Sequence, residues 1–393
     1  MRISLLTVSL AIVGPSFAFP GNDRTNAIGC PFANSGSRSK RQTDTTFDLV
    51  KQRIDVSGVH EFRPPGPNDK RGPCPGLNAM ANHGYISRTG ITTFVESTLA
   101  SNKVYGLGLD AGGLFSLLSV AYGGSLTNLV FSIGGDPAPG LSGTHNKMEG
   151  DASCTRKDAY VNNGDASSLS LDYFKHLYNL LPENEHAHFD MQVMVEHRAW
   201  TREQCISSNP HCFFGPVPVT FVSTLAHILL PRLVSNHSAE HPDGILNHDV
   251  LKTFYGITGN SGSLTYTPGH ERIPENWYRR ASDYTVVEVM QDFAKIAPGH
   301  PEFLSLGGNT GKVNSFVGVD PGDITGGIYN ASNLLEGNNL MCFVYQALQI
   351  ALLSNIGASA LFSAKLSPAM AKLSCPELKQ YNTSAFAIYP GAV

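Results

Sequence analysis

The stretch Pro73-Cys74-Pro75-Gly76-Leu77-Asn78-Ala79-Met80-Ala81-Asn82-His83-Gly84 sets the reading of this chain. A cysteine between two prolines cannot lie inside a helix or a sheet ladder, because each proline lacks a backbone donor and has a fixed φ. Cys74 is therefore expected on a rigid turn, with Pro75 suited to the first position of a helix. A thiolate there faces the free N–H groups and the positive dipole end of the helix, which lowers its pKa and makes it a good metal ligand. Taken alone, the stretch leaves three roles open: a thiolate ligand to a metal, a structural or disulfide-bonded cysteine, and the nucleophile of a hydrolase. The last would need a positioned His and Asn.

The rest of the chain narrows the class. Its 393 residues, 41% hydrophobic, can bury a large core,. The 28 Lys+Arg against 32 Asp+Glu give a net charge of −4, and no basic run exceeds Ser37-Arg38-Ser39-Lys40-Arg41, so no nucleic-acid partner is expected,. A charged fraction of 15% with 39 Gly and 24 Pro suits a loop-rich secreted protein. Met1-Arg2, the apolar run Leu5 to Val13 and Gly14-Pro15-Ser16-Phe17-Ala18 read as a signal peptide over 1–18, too short for a membrane span,. Lys40-Arg41 is a dibasic processing signal, which makes 19–41 either a pro-segment or a disordered tail and leaves 42–393 as the working domain. Glycan acceptor sequons stand at Asn236, Asn330 and Asn382,. Of seven cysteines (30, 74, 154, 205, 212, 342 and 375) at least one stays unpaired,. Cys205 and Cys212 flank a short loop that a disulfide would close. Cys342 and Cys375 flank a long apolar segment and form a second candidate pair. Spacing alone fixes neither connectivity nor the oligomeric state.

Periodicity reads as mostly helix. Leu77 to Ser101 is helix, loop, helix, and Leu107 to Tyr122 is helical. Residues 134–146 are a loop, and Asp151 to Asn162 and Ser170 to Leu181 are helical. Met191 to Ile206 is an amphipathic helix, Thr220 to Leu233 an apolar one containing Pro231, and Pro274 to Ile296 another. Gly307 to Thr325, with alternating Val and Phe, reads as a hairpin. Leu340 to Phe362 is long enough to span a membrane, but Gln346, Gln349, Ser354 and Asn355 mark it as a buried core helix. No repeat or domain boundary appears, so one mainly helical, all-α domain with long loops is expected.

A second constellation is His145-Asn146-Lys147-Met148-Glu149-Gly150-Asp151-Ala152-Ser153-Cys154-Thr155-Arg156. If helical, it puts Glu149 and Ser153 on one face, at i and i+4. Gly150 lets a ligand approach its carbonyl. Three such oxygens make a partial site for a hard divalent cation; the bland alternative is an acidic helix N-terminus.

Together the two motifs resemble the fungal haem-thiolate peroxidases, the family of chloroperoxidases and unspecific peroxygenases. Phe131-Ser132-Ile133-Gly134-Gly135 and Gly311-Lys312-Val313-Asn314-Ser315-Phe316 belong to the match, which covers roughly residues 60–375, and the late Cys342/Cys375 pair looks like the family's longer members. The resemblance implies haem b ligated by Cys74, Mg²⁺ held by Glu149, the Gly150 carbonyl, Ser153 and a haem propionate, and hydrogen peroxide as oxidant of a small organic substrate. A single axial thiolate favours O–O cleavage.

The longer members carry a distal glutamate as acid–base, with an arginine seven residues before it and a proline four after. Anchored on Pro231, this chain has His227 at the glutamate position and Thr220 at the arginine position. The shorter members' histidine, inside the acidic motif, is Gly150 here. An imidazole can move a proton at mild pH, so His227 is the expected acid–base. His83, His176, His186, His188 and His197 show no metal-ligand spacing, and Cys154 reads as a buried free thiol on the helix after the motif. The expected protein is a secreted, glycosylated peroxidase or peroxygenase acting on an aromatic molecule or natural product. The alternative is a secreted haem-binding protein with lost or catalase-like peroxide activity.

Overall fold

The computed structural model describes residues 47–136, 139–353, 375–376, 378 and 381–392. The expected leader (1–18), the segment 19–41 and Cys30 lie outside them. Helix α1, Pro75–Asn82, starts as expected: Cys74 is its N-cap with extended backbone, and Pro75 takes the first helical position, where its missing N–H would have had no partner. Strand β1 is Ile91–Thr93, and helix α2 is Phe94–Tyr105. Thr93 opens α2 by accepting the Glu96 N–H at 3.0 Å,. Helix α3, Leu109–Gly123, packs along α2. Strands β2, Gly124–Ser125, and β3, Val130–Ser132, complete an antiparallel sheet in the order β1-β3-β2. The end of this sheet braces the cysteine turn. Gly72 lies so close to it that a Cβ would stand 1.9 Å from the Ile133 carbonyl oxygen.

Helix α4 is Leu171–Tyr178 and α5 is Met191–Ser208, each opened by a side-chain cap, Ser170 and Asp190 respectively,. After strand β4, Phe213–Phe214, a continuous helix α6 runs Pro216–Val234. Its two ends are wide, π-type turns. Pro231 explains the second: it has no N–H for the His227 carbonyl and its ring crowds that group, so the helix widens instead of closing. α6 is the one helix among the described residues long and apolar enough to cross a membrane, and 72% of that stretch is buried inside the protein. Helix α7 is His248–Phe254; β5, Ile257–Thr258, pairs with β6, Thr265–Tyr266; helix α8 is Val286–Ile296. Strands β7, Leu306–Asn309, and β8, Phe316–Val319, form the expected hairpin and join β4 in a second three-stranded sheet. Helix α9, Asn339–Leu353, buries Cys342, Phe343 and Ala347 as a core helix does; the remainder of the apolar segment lies outside the described residues. Under these elements the rings of Tyr105, Phe254 and Trp277 cluster with centroids 5.5–6.1 Å apart.

Three expectations change. The protein is mainly helical, but three small sheets stand where an all-α fold was expected. Pro274 to Thr285 is not helix. Its backbone is used across the chain, with the Ile54 N–H donating to Trp277 O and the Arg279 N–H to Gln52 O. The helix starts only at a capping box of Thr285 and Glu288,. Asp151 to Asn162 is not helix either, apart from a short turn at Tyr160–Asn162. Ala152 has φ 53°, and Asp158 accepts the Ala152 N–H at 2.8 Å. The Ala152 carbonyl is taken by the hydroxyls of Ser223 (2.6 Å) and Thr201 (3.2 Å). The segment spends its polar groups on side chains, so it folds as a loop.

Candidate active site

An apolar cavity of about 230 Å³ lies between the cysteine turn, α2, α3, the acidic loop and α6. Cys74 lines it. Burial pushes the Cys74 thiol up; the N–H of Leu77 opposes this most, with smaller help from Gly76 and Arg156, while Glu149 adds to the rise,. Arg156 holds the turn from the side, donating to the Pro73 carbonyl from Nη2 at 2.8 Å and from Nε at 3.3 Å. Its Nη1 has no partner, although the residue is 2% exposed and lines the cavity.

Glu149, Gly150 and Ser153 line the same cavity. The structure thus gathers these oxygens on one wall, by a tied loop and not by the expected helix face. Gly150 is required there: a Cβ would lie 2.7 Å from Val219 and 3.0 Å from Pro218 of α6. The Glu149 carboxyl is pushed up to about 7 by burial, with only the Arg156 charge opposing. Behind it, Asp151 and Asp158 are buried together. Asn209 Nδ2 donates to Asp158 Oδ2 at 3.0 Å, and the Phe213 N–H to Asp151 Oδ2 at 3.0 Å. Burial raises both carboxyls, and Asp158 pushes Asp151 further. This network ties the acidic loop to the segment closed by the Cys205–Cys212 disulfide.

His227 does not line the cavity. α6 presents Val222, Ala226, Leu229 and Leu233 to it. His227 and Thr220, two turns apart, share the opposite face, each 2% exposed. His227 Nδ1–H donates to the Ser223 carbonyl at 2.8 Å, and its ring tilts against His197 at 5.4 Å. Burial first, then His197 and Arg198, hold its pKa well below the ordinary value. A neutral imidazole turned away from the cavity cannot exchange a proton with anything bound there, so the expected acid–base role is corrected. His227, His197 and the Cys154 thiol do converge, with ligand-type atoms within 4.8 Å of one another. Both His197 nitrogens are occupied, Nε2 by the Cys154 carbonyl (2.7 Å) and Nδ1 by His176 (3.0 Å). Cys154 is a free, buried thiol pushed up to about 12 by burial; it sits on the loop, not on a helix.

Both candidate disulfides are present, Cys205–Cys212 and Cys342–Cys375. At the sequons the Asn330 and Asn382 side-chain oxygens each accept the hydroxyl of the serine two residues on at 2.6 Å, and Asn236 Oδ1 accepts the Tyr278 N–H at 2.9 Å. Sequence reasoning gave Arg156 no role. The signal was its place three residues after Ser153, but nothing local shows that one of its donors ends unpaired at the cavity.

The geometry can be set beside known proteins. The family model for peroxidase, family 2, matches residues 60–282. The aromatic peroxidase fscJ of Fusarium equiseti is 37% identical over 414 aligned positions, covering 96% of this chain and 93% of that protein. The dothistromin biosynthesis peroxidase dotB of Dothistroma septosporum is 37% identical over 408 positions, covering 98% and 96%. The aromatic peroxygenase of Cyclocybe aegerita is 29% identical over 276 positions, 67% of each chain. On this breadth of match the chain belongs to the family-2 peroxidases, the fungal haem-thiolate family whose members use hydrogen peroxide to oxidise organic molecules.

Proposed function

We propose that this enzyme is a secreted haem-thiolate peroxidase or peroxygenase in which Cys74 would hold the iron of haem b. One observation carries the reading: a single apolar cavity is lined both by Cys74, on its braced turn, and by the buried Arg156, whose Nη1 is unpaired. A flat cofactor with carboxylate arms answers both, since the metal takes the sulfur and a carboxylate takes the arginine donor. Haem b, when bound, would supply redox chemistry towards peroxide, and the Cys74 thiolate would favour O–O cleavage.

The chain's own residues do the rest. Gly76 and Leu77 aim their N–H groups at the sulfur and favour its ionised form,. The cavity wall is largely apolar and excludes water. Glu149, the Gly150 carbonyl and Ser153 are hard oxygen donors suited to Mg²⁺. Only burial and the Arg156 charge act on the Glu149 carboxyl, and a cation would supply the stabilisation its ionised form lacks. The apolar α6 face suits an aromatic substrate. Two relatives are named for aromatic substrates and one for the biosynthesis of a natural product, which supports a dedicated step in secondary metabolism, by oxygen insertion or one-electron oxidation. The leader over 1–18 and the sequons at Asn236, Asn330 and Asn382 support export and glycosylation of a mature domain over 42–393.

The test is the carbon-monoxide difference spectrum of the reduced protein beside Cys74→Ser. The native chain is expected to give the red-shifted Soret band of thiolate ligation, and the variant to lose it. A band unchanged by the substitution would remove Cys74 from the iron.

A further inference from the structure

Helices α2 and α3 place four serines on the cavity wall: Ser97 and Ser101, one turn apart on α2, and Ser116 and Ser119 on α3. All are more than nine-tenths buried, with exposures of 3%, 8%, 3% and 3%. A helical serine or threonine commonly donates its hydroxyl to the carbonyl four residues back. Ser119 does so to Phe115 at 2.8 Å, and Thr98 to Phe94 at 2.7 Å. Ser97, Ser101 and Ser116 make no side-chain hydrogen bond among the described residues, and they open on the cavity. A hydroxyl that faces a cavity with no protein partner is left to pair with whatever fills the cavity. Three on one wall, opposite the aliphatic face of α6, form a polar edge in an apolar slot. The two helices pack closely: even a Cβ added at Gly112 would stand in van der Waals contact, 3.5 Å from the Thr98 carbonyl oxygen. The hydroxyls are therefore held on packed helices, and little freedom is lost when they bind.

We propose that Ser97, Ser101 and Ser116 form a subsite for oxygen atoms of the substrate. The preferred substrate is then an aromatic molecule carrying hydroxyl or carbonyl groups along one edge. A serine hydroxyl both donates and accepts, so it matches either group. The inference rests on the reading that this cavity houses the reaction.

Equilibrium dialysis of naphthalene and 1-naphthol against the holoenzyme, in the native form and in the triple variant S97A/S101A/S116A, tests it. The native enzyme is expected to prefer 1-naphthol. The variant is expected to bind 1-naphthol about tenfold more weakly, the scale of one or two lost hydrogen bonds, with naphthalene binding within about twofold and haem content unchanged. Equal loss for both ligands, or no loss for 1-naphthol, would overturn the subsite. A fall in haem content with unchanged ligand preference would overturn it too, by assigning the hydroxyls to the cofactor. Because the hydroxyls are unpaired, the ligand-free variant is expected to melt no lower than the native chain; a lower Tm would mean that they hold the fold instead. Failure of thiolate ligation shows separately in the carbon-monoxide spectrum, which the dialysis does not depend on.

Discussion

Glu149 shows how one buried carboxyl can couple protonation to stability. Its folded pKa of about 7 exceeds the value of 4.5 it has when free of the fold. The folded chain therefore binds more protons than the unfolded chain between those values, and stability without metal falls as pH rises from 4.5 through about 7. A hard cation takes only the ionised form. Thermal melts with millimolar Mg²⁺ should show little stabilisation at pH 5 and a rise of about 2–6 °C at pH 8. Glu149→Gln should abolish the magnesium effect and flatten the pH slope; an equal effect at both pH values would take Glu149 out of the ligand set. That Cys74, Glu149, Gly150 and Ser153 meet at one cavity was legible in the sequence, because their types and order single them out. Arg156 was not, since its part depends on which of its donors is left over after folding.

At the level of the element, α6 was legible as an apolar helix, and the spacing of seven did put Thr220 and His227 on one face. Which face turns to the cavity was not legible. That depends on the wide turns around Pro216 to Ser223 and Leu230 to Val234 and on what packs behind. His227→Gln is expected to leave peroxide-dependent turnover within about twofold of native, given normal haem content. Ala226→Glu, which sets a carboxylate on the cavity face, should speed peroxide turnover at least about tenfold, toward the usual range for a positioned acid–base group. Stopped-flow mixing with peroxide reads both. A large loss in the histidine variant would put its ring at the reaction after all. The acidic loop teaches the same lesson. Its hydrogen bonds run to Thr201, Asn209, Phe213 and Ser223, partners that no local pattern in residues 151–162 announces.

Across the whole molecule, the cross-links differ in reach. Cys342–Cys375 joins residues 33 apart and Cys205–Cys212 residues 7 apart. Loop-closure entropy assigns them about 3.7 and about 2.4 kcal/mol. Urea denaturation of C342S/C375S should therefore show the larger loss, about 3.7 kcal/mol, with haem content as a control. A larger loss in C205S/C212S would instead indicate that the ring supports the Asp151 and Asp158 network. The mainly helical class was legible from periodicity. The small sheets were not, because strands of two to four residues leave no pattern of alternation long enough to read.

The cavity also imposes a timetable. Its wall runs in sequence from the cysteine turn to Tyr255, which is 255 − 74 = 181 residues after Cys74. At about 5–20 residues per second, synthesis leaves that thiol without its far wall for roughly 10–40 s. During this interval the sulfur is open to any oxidant or stray thiol in the compartment. The turn bearing Cys74 cannot seat either until Ile133 arrives to meet Gly72. Closure of the cavity therefore belongs at the end of manufacture, and a chain interrupted before Tyr255 would keep its Cys74 thiol uncovered.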